Sequence, residues 1–383
     1  MTTDRPLRVL HLVRSMRVGG LEKVVLDLTR GLCDRGVQSF LGCLFDSGEW
    51  ASQARVEACW EGNLGRRGPA GTLRALCRFV RTHGVDIIHT HNSHPHKYGV
   101  PASILIRVPL VHTKHGRNWP DNSRWVWFSR QLSRFTRVVV PVSRDIERIV
   151  TDVERVPRRK VTLILNGVDT EAFCPAGTAA RAAQRRRLGL PTDAFVMGSV
   201  GRLSPEKQYP WLVALFAEFL RGNPGSTLVL VGDGPHRPEI EQAIEEHGVR
   251  DRVRLTGVRE DVADWLHCLD LFVLSSDQEG TCITLLEAGA TGVPAVVTDV
   301  GGNSDIVQDG RTGRVVPFGD TGAFVSALAE LAGDAPRRTA MGRAAREHIV
   351  SGFSLDAMAD AYVEVYRAAL ARRRSHEVDG RGR

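Results

Sequence analysis

The stretch RVLHLVRSMRVGGLEKVVLDLTRGL, residues 8–32, decides how this chain folds. RVLHLV is short, apolar and rich in branched residues, as a strand buried on both faces requires. Gly19 and Gly20 then interrupt the run, and Leu21, Val24, Val25 and Leu28 return at the spacing of one helical face. Strand, glycine turn and helix in that order form the first half of a right-handed βαβ unit. The alternation continues. SFLGCLF, DIIHTHN, PLVHTKH, RVVVPVS and VTLILNG read as further strands of the first half, and AFVMGSVG, TLVLVGDG, RVRLTGV, LFVLSS and PAVVTD as those of the second. Short strands separated by helices imply parallel sheets covered on both faces. Two such series imply two doubly wound α/β units facing each other across a cleft.

A chain of 383 residues is also too long for one ordinary core and suggests two domains. The division is expected between residues 173 and 191, where CPAGTAARAAQRRRLGLP loses the strand pattern. This gives a first domain over 1–174 and a second over 190–354. The arginines at 185–187 read as the solvated face of a short helix ending at Gly189 rather than as a phosphate cluster. After Ser354, a residue suited to an N-cap, LDAMADAYVEVYRAAL forms an amphipathic helix over 355–370. The tail, 371–383, has no apolar periodicity and is expected to be disordered.

Composition narrows the function classes. A hydrophobic fraction of 42% with 25% charged residues is that of a soluble globular protein. No apolar run reaches the length of a membrane span, and the N-terminus lacks a signal peptide's apolar region. Seven cysteines with no C-x-x-C pair fit reduced thiols, so a cytoplasmic location is expected. The net charge of +7 is uneven: residues 1–173 hold 27 Lys/Arg against 16 Asp/Glu, and residues 174–383 hold 24 against 28. A basic first half suits an anionic partner, such as a membrane surface, or is the solvated face of an arginine-rich chain. No nucleic-acid-binding motif is present, so nucleic acid is not expected as a partner.

SSDQEGTCITLLE, residues 275–287, carries the chemistry. Glu279 sits in a glycine-containing turn and Glu287 inside a helical apolar run. At about 1.5 Å per helical residue their carboxylates are at most roughly 12 Å apart, about the ribose-to-hexose distance of a nucleotide sugar. Between them lies a helix N-terminus, whose free amides and dipole favour a diphosphate. VGRLSPEKQ places Arg202 and Lys207 directly after a strand. A guanidinium and an ammonium there can neutralise the charge that grows on a departing diphosphate. No Asp-x-Asp motif is present to hold a divalent ion, so no metal is expected.

EGTCITLLEAGATGVPAVVTDVGG resembles the core motif of family 4 retaining glycosyltransferases, the GT4 family. VGGLEKVVLDL, HTKHGRN, PVSRDI, LILNGVD and VGRLSPEKQ match it in the right order over nearly the whole chain. Within the family it is most similar to bacterial transferases of surface-polysaccharide, exopolysaccharide and glycoconjugate assembly. Two departures stand out: Cys282, often Ser or Phe, and GNSD at 302–305 in place of GNPE, which shortens the carboxylate at Asp305. The resemblance implies the GT-B fold, retention of configuration, and a final helix that crosses back to the first domain. It implies catalytic roles for Arg202, Lys207, Glu279 and His115. Glu279 would bind the donor sugar and steady positive charge at its anomeric carbon, while Glu287 would take the ribose hydroxyls. Donor contacts would come from the backbone of Gly280, Thr281 and Cys282, and from Gly19 and Gly20 approaching the diphosphate from the other side. Glu22 serves its helix N-terminus.

The implied activity moves a hexose from a UDP- or GDP-sugar to a hydroxyl of a lipid-linked saccharide, polysaccharide or other glycoconjugate. No cofactor is expected. The alternatives are an inactive nucleotide-sugar-binding module of the same fold and an NAD-dependent dehydrogenase, the latter disfavoured because no G-x-G-x-x-G follows a strand. HTHNSHPH, residues 89–96, offers four histidines but no cysteine pair, and reads as a cleft loop with one histidine on the acceptor rather than a zinc site. Trp125, Phe128, Leu132 and Phe135 recur at helical spacing among arginines. Core packing is the favoured reading of that stripe, and a membrane-surface helix the other.

Overall fold

The computed structural model describes residues 5–117 and 123–379, and the chain divides into two compact units. Residues 1–167 and 355–383 form the first, residues 168–354 the second.

In the first unit, β1 (Arg8–Val13), β2 (Gln38–Cys43), β3 (Cys59–Glu61), β4 (Ile87–His91), β5 (Leu110–Lys114) and β6 (Val138–Pro141) form one parallel sheet in the order β3-β2-β1-β4-β5-β6. The second unit repeats the plan with β7 (Val196–Val200), β8 (Thr227–Val231), β9 (Val253–Leu255), β10 (Leu271–Leu274), β11 (Ala295–Thr298) and β12 (Gly313–Val316), in the order β12-β11-β10-β7-β8-β9. Counted from its own first strand, each sheet has the same doubly wound order. The direction of winding reverses between β1 and β4 in one unit and between β7 and β10 in the other. Crevices at the carboxyl ends of such strand pairs are where open α/β sheets bind ligands.

Both predicted sheets form, with three differences in their strands. VTLILNG is not a strand: Val161 makes one isolated bridge to Val139. The amides of Thr162 and Ile164 do reach the carbonyls of Val139 and Pro141. The ladder needs a return bond from the amide at position 141, and proline has none to give. Two strands went unseen, β3 and β12. They are three and four residues long and lie at the sheet edges, too short to show alternation.

Each sheet is buried on both faces. In the first unit Leu10, Leu12, Phe40, Trp60 and Ile88 build one side, while Val13, Val25, Leu26 and Leu41 build part of the other. The C-terminal helix Leu355–Asp379 belongs to this unit. Its Met358, Tyr362 and Tyr366 are buried, and a Cβ on Gly31 would come within 2.9 Å of the Ala359 Cβ, so only glycine allows the helices to approach this closely. Arg35 pairs with Asp356 and Asp360 at its start. The helix runs to Asp379, beyond its expected end at 370, so most of the expected disordered tail is helical; residues 380–383 lie outside the described residues. In the second unit, Phe216, Leu228, Leu230, Val273 and Phe324 are among the fully buried core residues.

The unit boundary falls at Gly167/Val168, earlier than expected, and Arg185 shows why. It is buried, not solvated. Its guanidinium donates to the carbonyls of Cys268, Thr192 and Ala194 and to the Asp270 carboxylate, locking helix Thr178–Arg187 onto the second unit.

Candidate functional site

In the second unit the crevice between β7 and β10 gathers the charged residues singled out in the sequence. The loop after β7 carries Arg202, and the loop after β8 clamps it. A Cβ on Gly232, which has a φ of +135°, would lie 1.9 Å from the Gly201 carbonyl oxygen, and one on Gly234 would lie 2.3 Å from that of Leu203. Only glycine fits at either point. Arg202 itself is exposed, and its guanidinium has no hydrogen-bond or ion-pair partner among the described residues.

Lys207 closes the turn Pro205–Lys207 and points back toward β10. Its ammonium donates to Glu279 Oε1 at 2.5 Å, with the side chains only 14% and 9% exposed. Burial by itself would lower the lysine pKa; the Glu279 carboxylate outweighs it and holds the ammonium charged. Ser276 donates to the same Glu279 oxygen at 2.7 Å, and Ser275 donates to the Lys207 carbonyl. Beneath them Thr298 donates to the Ser276 carbonyl and Asn303 to the Thr298 carbonyl. Asn303 is fully buried, and its Oδ1 has no partner.

Glu279 is followed by Gly280, Thr281 and Cys282, which lead into helix Ile283–Ala290 with Cys282 as N-cap. Thr284 donates to the Val200 carbonyl at 2.7 Å, holding this helix start against the end of β7. The free amides of the helix therefore open where Lys207 and Glu279 meet. Burial raises the Cys282 pKa, so the thiol stays neutral and acts as a small apolar plug. Glu287 lies in the second turn of the helix and is buried, 4% exposed. Gly301 supports the turn from below: its φ is +56°, and a Cβ there would sit 1.9 Å from the Glu279 carbonyl oxygen.

Of the charges singled out in the sequence, the structure brings Lys207 and Glu279 into contact, with Arg202 on the loop after β7 and Glu287 in the helix after Cys282. Sequence reading missed the polar layer of Ser275, Ser276, Thr298 and Asn303, which have no spacing signature, and the bracing role of Gly301.

The first unit holds the remaining predicted residues. Gly19, in extended backbone, caps helix Gly20–Cys33. The Glu22 carboxylate folds over it so closely that a Cβ on Gly19 would be 2.3 Å from Oε2. Burial raises the Glu22 pKa against the opposing pull of its own backbone amide.

HTHNSHPH is not a loop. His89 and His91 lie in β4, and His94 and His96 in helix Ser93–Ile106. His115 follows β5, its amide donating to Asn92 Oδ1 at 2.9 Å. From it an unbroken line of imidazoles enters the sheet: His115 Nε2 meets His91 Nδ1 at 3.0 Å, and His91 Nε2 meets His11 Nδ1 at 3.2 Å. Beside this line His89 bonds Tyr366 and Thr113, both at 2.7 Å, and Thr113 bonds Tyr362. The alternation of β-strand side chains puts His11, His89, His91, Thr113 and His115 on one face, under the two tyrosines of the C-terminal helix. Burial pushes His11 and His115 down to about 3 and holds His89 and His91 well below the usual range, so all four rings are neutral near pH 7.

Nitrogens of His11, His89 and His91 lie within 4.8 Å of one another, close enough to consider a metal ion. However, His89 and His91 already use both ring nitrogens, and only His11 Nε2 is uncommitted. A zinc site needs three open ligands, and this cluster does not fit one as it stands.

The aromatic stripe also departs from the favoured reading. Helix Ser123–Arg134 turns Leu132 toward the core, but Trp125, Trp127 and Phe135 are 38%, 62% and 58% exposed.

Comparison with known proteins agrees with this architecture. The family described as Glycosyltransferase Family 4 matches residues 18–172, and that described as Glycosyl transferases group 1 matches residues 180–348. The chain is 30% identical, over 77% of its length and 79% of the relative's, to the UDP-Gal:alpha-D-GlcNAc-diphosphoundecaprenol alpha-1,3-galactosyltransferase of Escherichia coli. It is 29% identical to a D-inositol 3-phosphate glycosyltransferase of Kribbella flavida, over 96% of this chain and 97% of that one. Among solved structures, Anabaena HepE in complex with UDP-glucose superposes with a TM-score of 0.85 at 22% identity, covering 94% of this chain and 100% of that one. The chain belongs to glycosyltransferase family 4, and its two doubly wound units are those of the GT-B fold.

Proposed function

We propose that the protein is a retaining, metal-independent hexosyltransferase that takes its sugar from a UDP- or GDP-sugar and gives it to a hydroxyl of a lipid-linked saccharide, polysaccharide or other glycoconjugate. The observation that carries this reading is the buried Lys207–Glu279 pair, facing a helix N-terminus and the free guanidinium of Arg202. An incoming diphosphate exchanges partners with that pair. Arg202 binds phosphate oxygens as a fork, and the amides of residues 280–282 take others. Lys207 turns part of its charge to the diphosphate, which frees Glu279 to accept bonds from the sugar hydroxyls, and Glu287 serves the ribose. As the sugar–phosphate bond breaks, two fixed cations meet the developing negative charge; each such contact is worth about 3–4 kcal/mol. That supply of positive charge is the argument for metal independence. His115 keeps the role that the family resemblance implies, and burial holds its ring neutral.

The donor class is supported by the UDP-glucose bound to HepE and the UDP-Gal used by the E. coli relative. The lipid-linked acceptor is supported by the diphosphoundecaprenol in that relative's name. No helix among the described residues is long and apolar enough to cross a membrane. The exposed Trp125, Trp127 and Phe135, with Arg124, Arg130 and Arg134 on the same helix, suit peripheral attachment to the anionic cytoplasmic face of a membrane.

The test is a panel of UDP-, GDP- and ADP-sugars with lipid-linked acceptor in EDTA, read as nucleotide release. One donor should turn over, and Arg202→Ala with Lys207→Ala should abolish it. Nucleotide-sugar binding without release from the wild-type chain would instead identify a binding module.

A further inference from the structure

Arg202, Lys207 and Glu279 follow β7 and β10 at the carboxyl ends of the second sheet. The amino-terminal edge of the same sheet carries a separate cavity of about 380 Å3. It lies wholly within the second unit, between the turn leading into β10, the turn leading into β11 and helix Ala335–Gly352. Four guanidiniums line it, those of Arg181, Arg338, Arg343 and Arg346, against the two carboxylates of Asp270 and Glu347.

The charges do not cancel locally. Asp270 accepts from Arg181 and from Arg185, each at 2.7 Å, and its second oxygen also takes the Val196 amide. Arg338 stands 3.9 Å from the same carboxylate. Three cations thus share one anion. Arg346 donates from Nη1 to the carbonyls of Phe173 and Ala290, which fix its position without neutralising it. Arg338 is held by the Leu331 and Ala332 carbonyls over the ring of Phe195. Burial lowers its pKa, and Arg181 and Arg185 add to this against the opposing pull of Asp270 and Asp334. Arg343 stands exposed, with no partner among the described residues.

Nor does this surplus follow from composition. Residues 168–354 contain 18 Lys/Arg against 25 Asp/Glu, so a cationic concavity is built into an acidic unit. Guanidiniums arriving from several directions onto a concave space match the oxygens of phosphate, and the volume exceeds what a single phosphate fills. We propose that this cavity is a second anion site, separate from the crevice at the other end of the sheet, that takes a compact soluble molecule carrying two or more phosphates. The inference stands independently of the donor and acceptor assigned above.

Inorganic pyrophosphate is the probe, titrated calorimetrically into the full chain carrying Arg202→Gln and Lys207→Gln, which removes the diphosphate contacts at the opposite edge. One saturable site is expected to remain. Adding Arg343→Gln should weaken it at least tenfold, and adding Arg343→Glu should abolish it. The Arg343 side chain is exposed and has no hydrogen-bond or ion-pair partner among the described residues, so these variants should keep the fold, checked by an unchanged melting temperature. Absence of saturable binding in the Arg202→Gln, Lys207→Gln chain, or binding indifferent to Arg343→Glu, overturns the proposal.

Discussion

Lys207 and Glu279, 72 positions apart in sequence, form a largely buried ion pair at the point where the second sheet reverses its winding. The Glu279 carboxylate keeps the buried Lys207 ammonium charged against the pull of desolvation. Removing one partner of a buried pair leaves an uncompensated charge and costs about 3–5 kcal/mol, whereas removing both costs much less. Lys207→Met should therefore lower the melting temperature more than Lys207→Met with Glu279→Gln. Both variants should lose transfer activity by at least about 100-fold, since the pair is also the machinery. Thermal melts beside single-turnover assays check this, and additive melting shifts would show that the pair is not energetically coupled.

Gly301 sets the height of the Glu279 turn. With φ at +56° and the Glu279 carbonyl oxygen 1.9 Å from where a Cβ would stand, alanine is strained on both counts. Gly301→Ala should displace Glu279 and cut kcat by at least about 100-fold, on the scale of losing one transition-state contact. Gly310→Ala, also at positive φ but with open space around it, should cost stability alone. Equal kcat in the two variants would refute the bracing role.

Much of this was legible in the sequence, for identifiable reasons. Parallel strands buried on both faces leave continuous apolar runs, so ten of the twelve strands showed themselves. Pro141 hid the failure of VTLILNG, because a missing donor in one strand alters the fate of another. Arg202, Lys207, Glu279 and Glu287 could be found because their motifs are local. Arg185 could not, since the Cys268 carbonyl that helps make it structural is 83 positions away. The histidine ladder was equally hidden: four histidines in HTHNSHPH suggested a loop, and only the pairing of β4 with β1 and β5 brings His11 and Thr113 beside them.

The buried histidines of the first unit make the protein sensitive to acid. His11, His96 and His115 are pushed by burial from an ordinary 6.5 down to about 3. Between those values the unfolded chain binds protons that the folded chain refuses, so stability rises with pH across the window and is complete above about 6.5. Each such histidine contributes about 1.4 kcal/mol per pH unit. The protein should unfold cooperatively as the pH falls from 6.5 toward 3, and His11→Phe should reduce the pH slope of its unfolding free energy by about one proton. Denaturant titrations at pH 5.0, 6.0 and 7.5 measure it; a slope unchanged by His11→Phe would show that this ring is not buried in its neutral form.

Trp125, Trp127 and Phe135 should anchor the first unit to anionic bilayers. Vesicles of phosphatidylglycerol should sediment the wild-type chain and phosphatidylcholine vesicles should not. Replacing Trp127 by Ser should weaken the association at least tenfold without shifting the melting temperature, because that ring is 62% exposed. Undiminished sedimentation of that variant would place the contact elsewhere.

The imidazole line from His115 to His11 can carry its protons in only two ways, because a neutral ring has one donor and one acceptor. If each ring donates inward, the line ends on a buried His11 Nε2–H with no acceptor. If each donates outward, it ends on a buried His11 lone pair, and His115 presents Nδ1–H. An orphaned buried N–H is the rarer and costlier defect, so the outward arrangement prevails. Nitrogen-15 spectra of histidine-labelled protein at pH 7.5 should show His115, His91 and His11 all in the Nδ1–H form. His91→Phe breaks the line and should return His115 to a mixture of tautomers while leaving His89, tied to Tyr366 and Thr113, unchanged. An Nε2–H signature for His115 in the wild-type chain would reverse the direction of the line, and with it the polarity that this histidine offers to anything bound beside it.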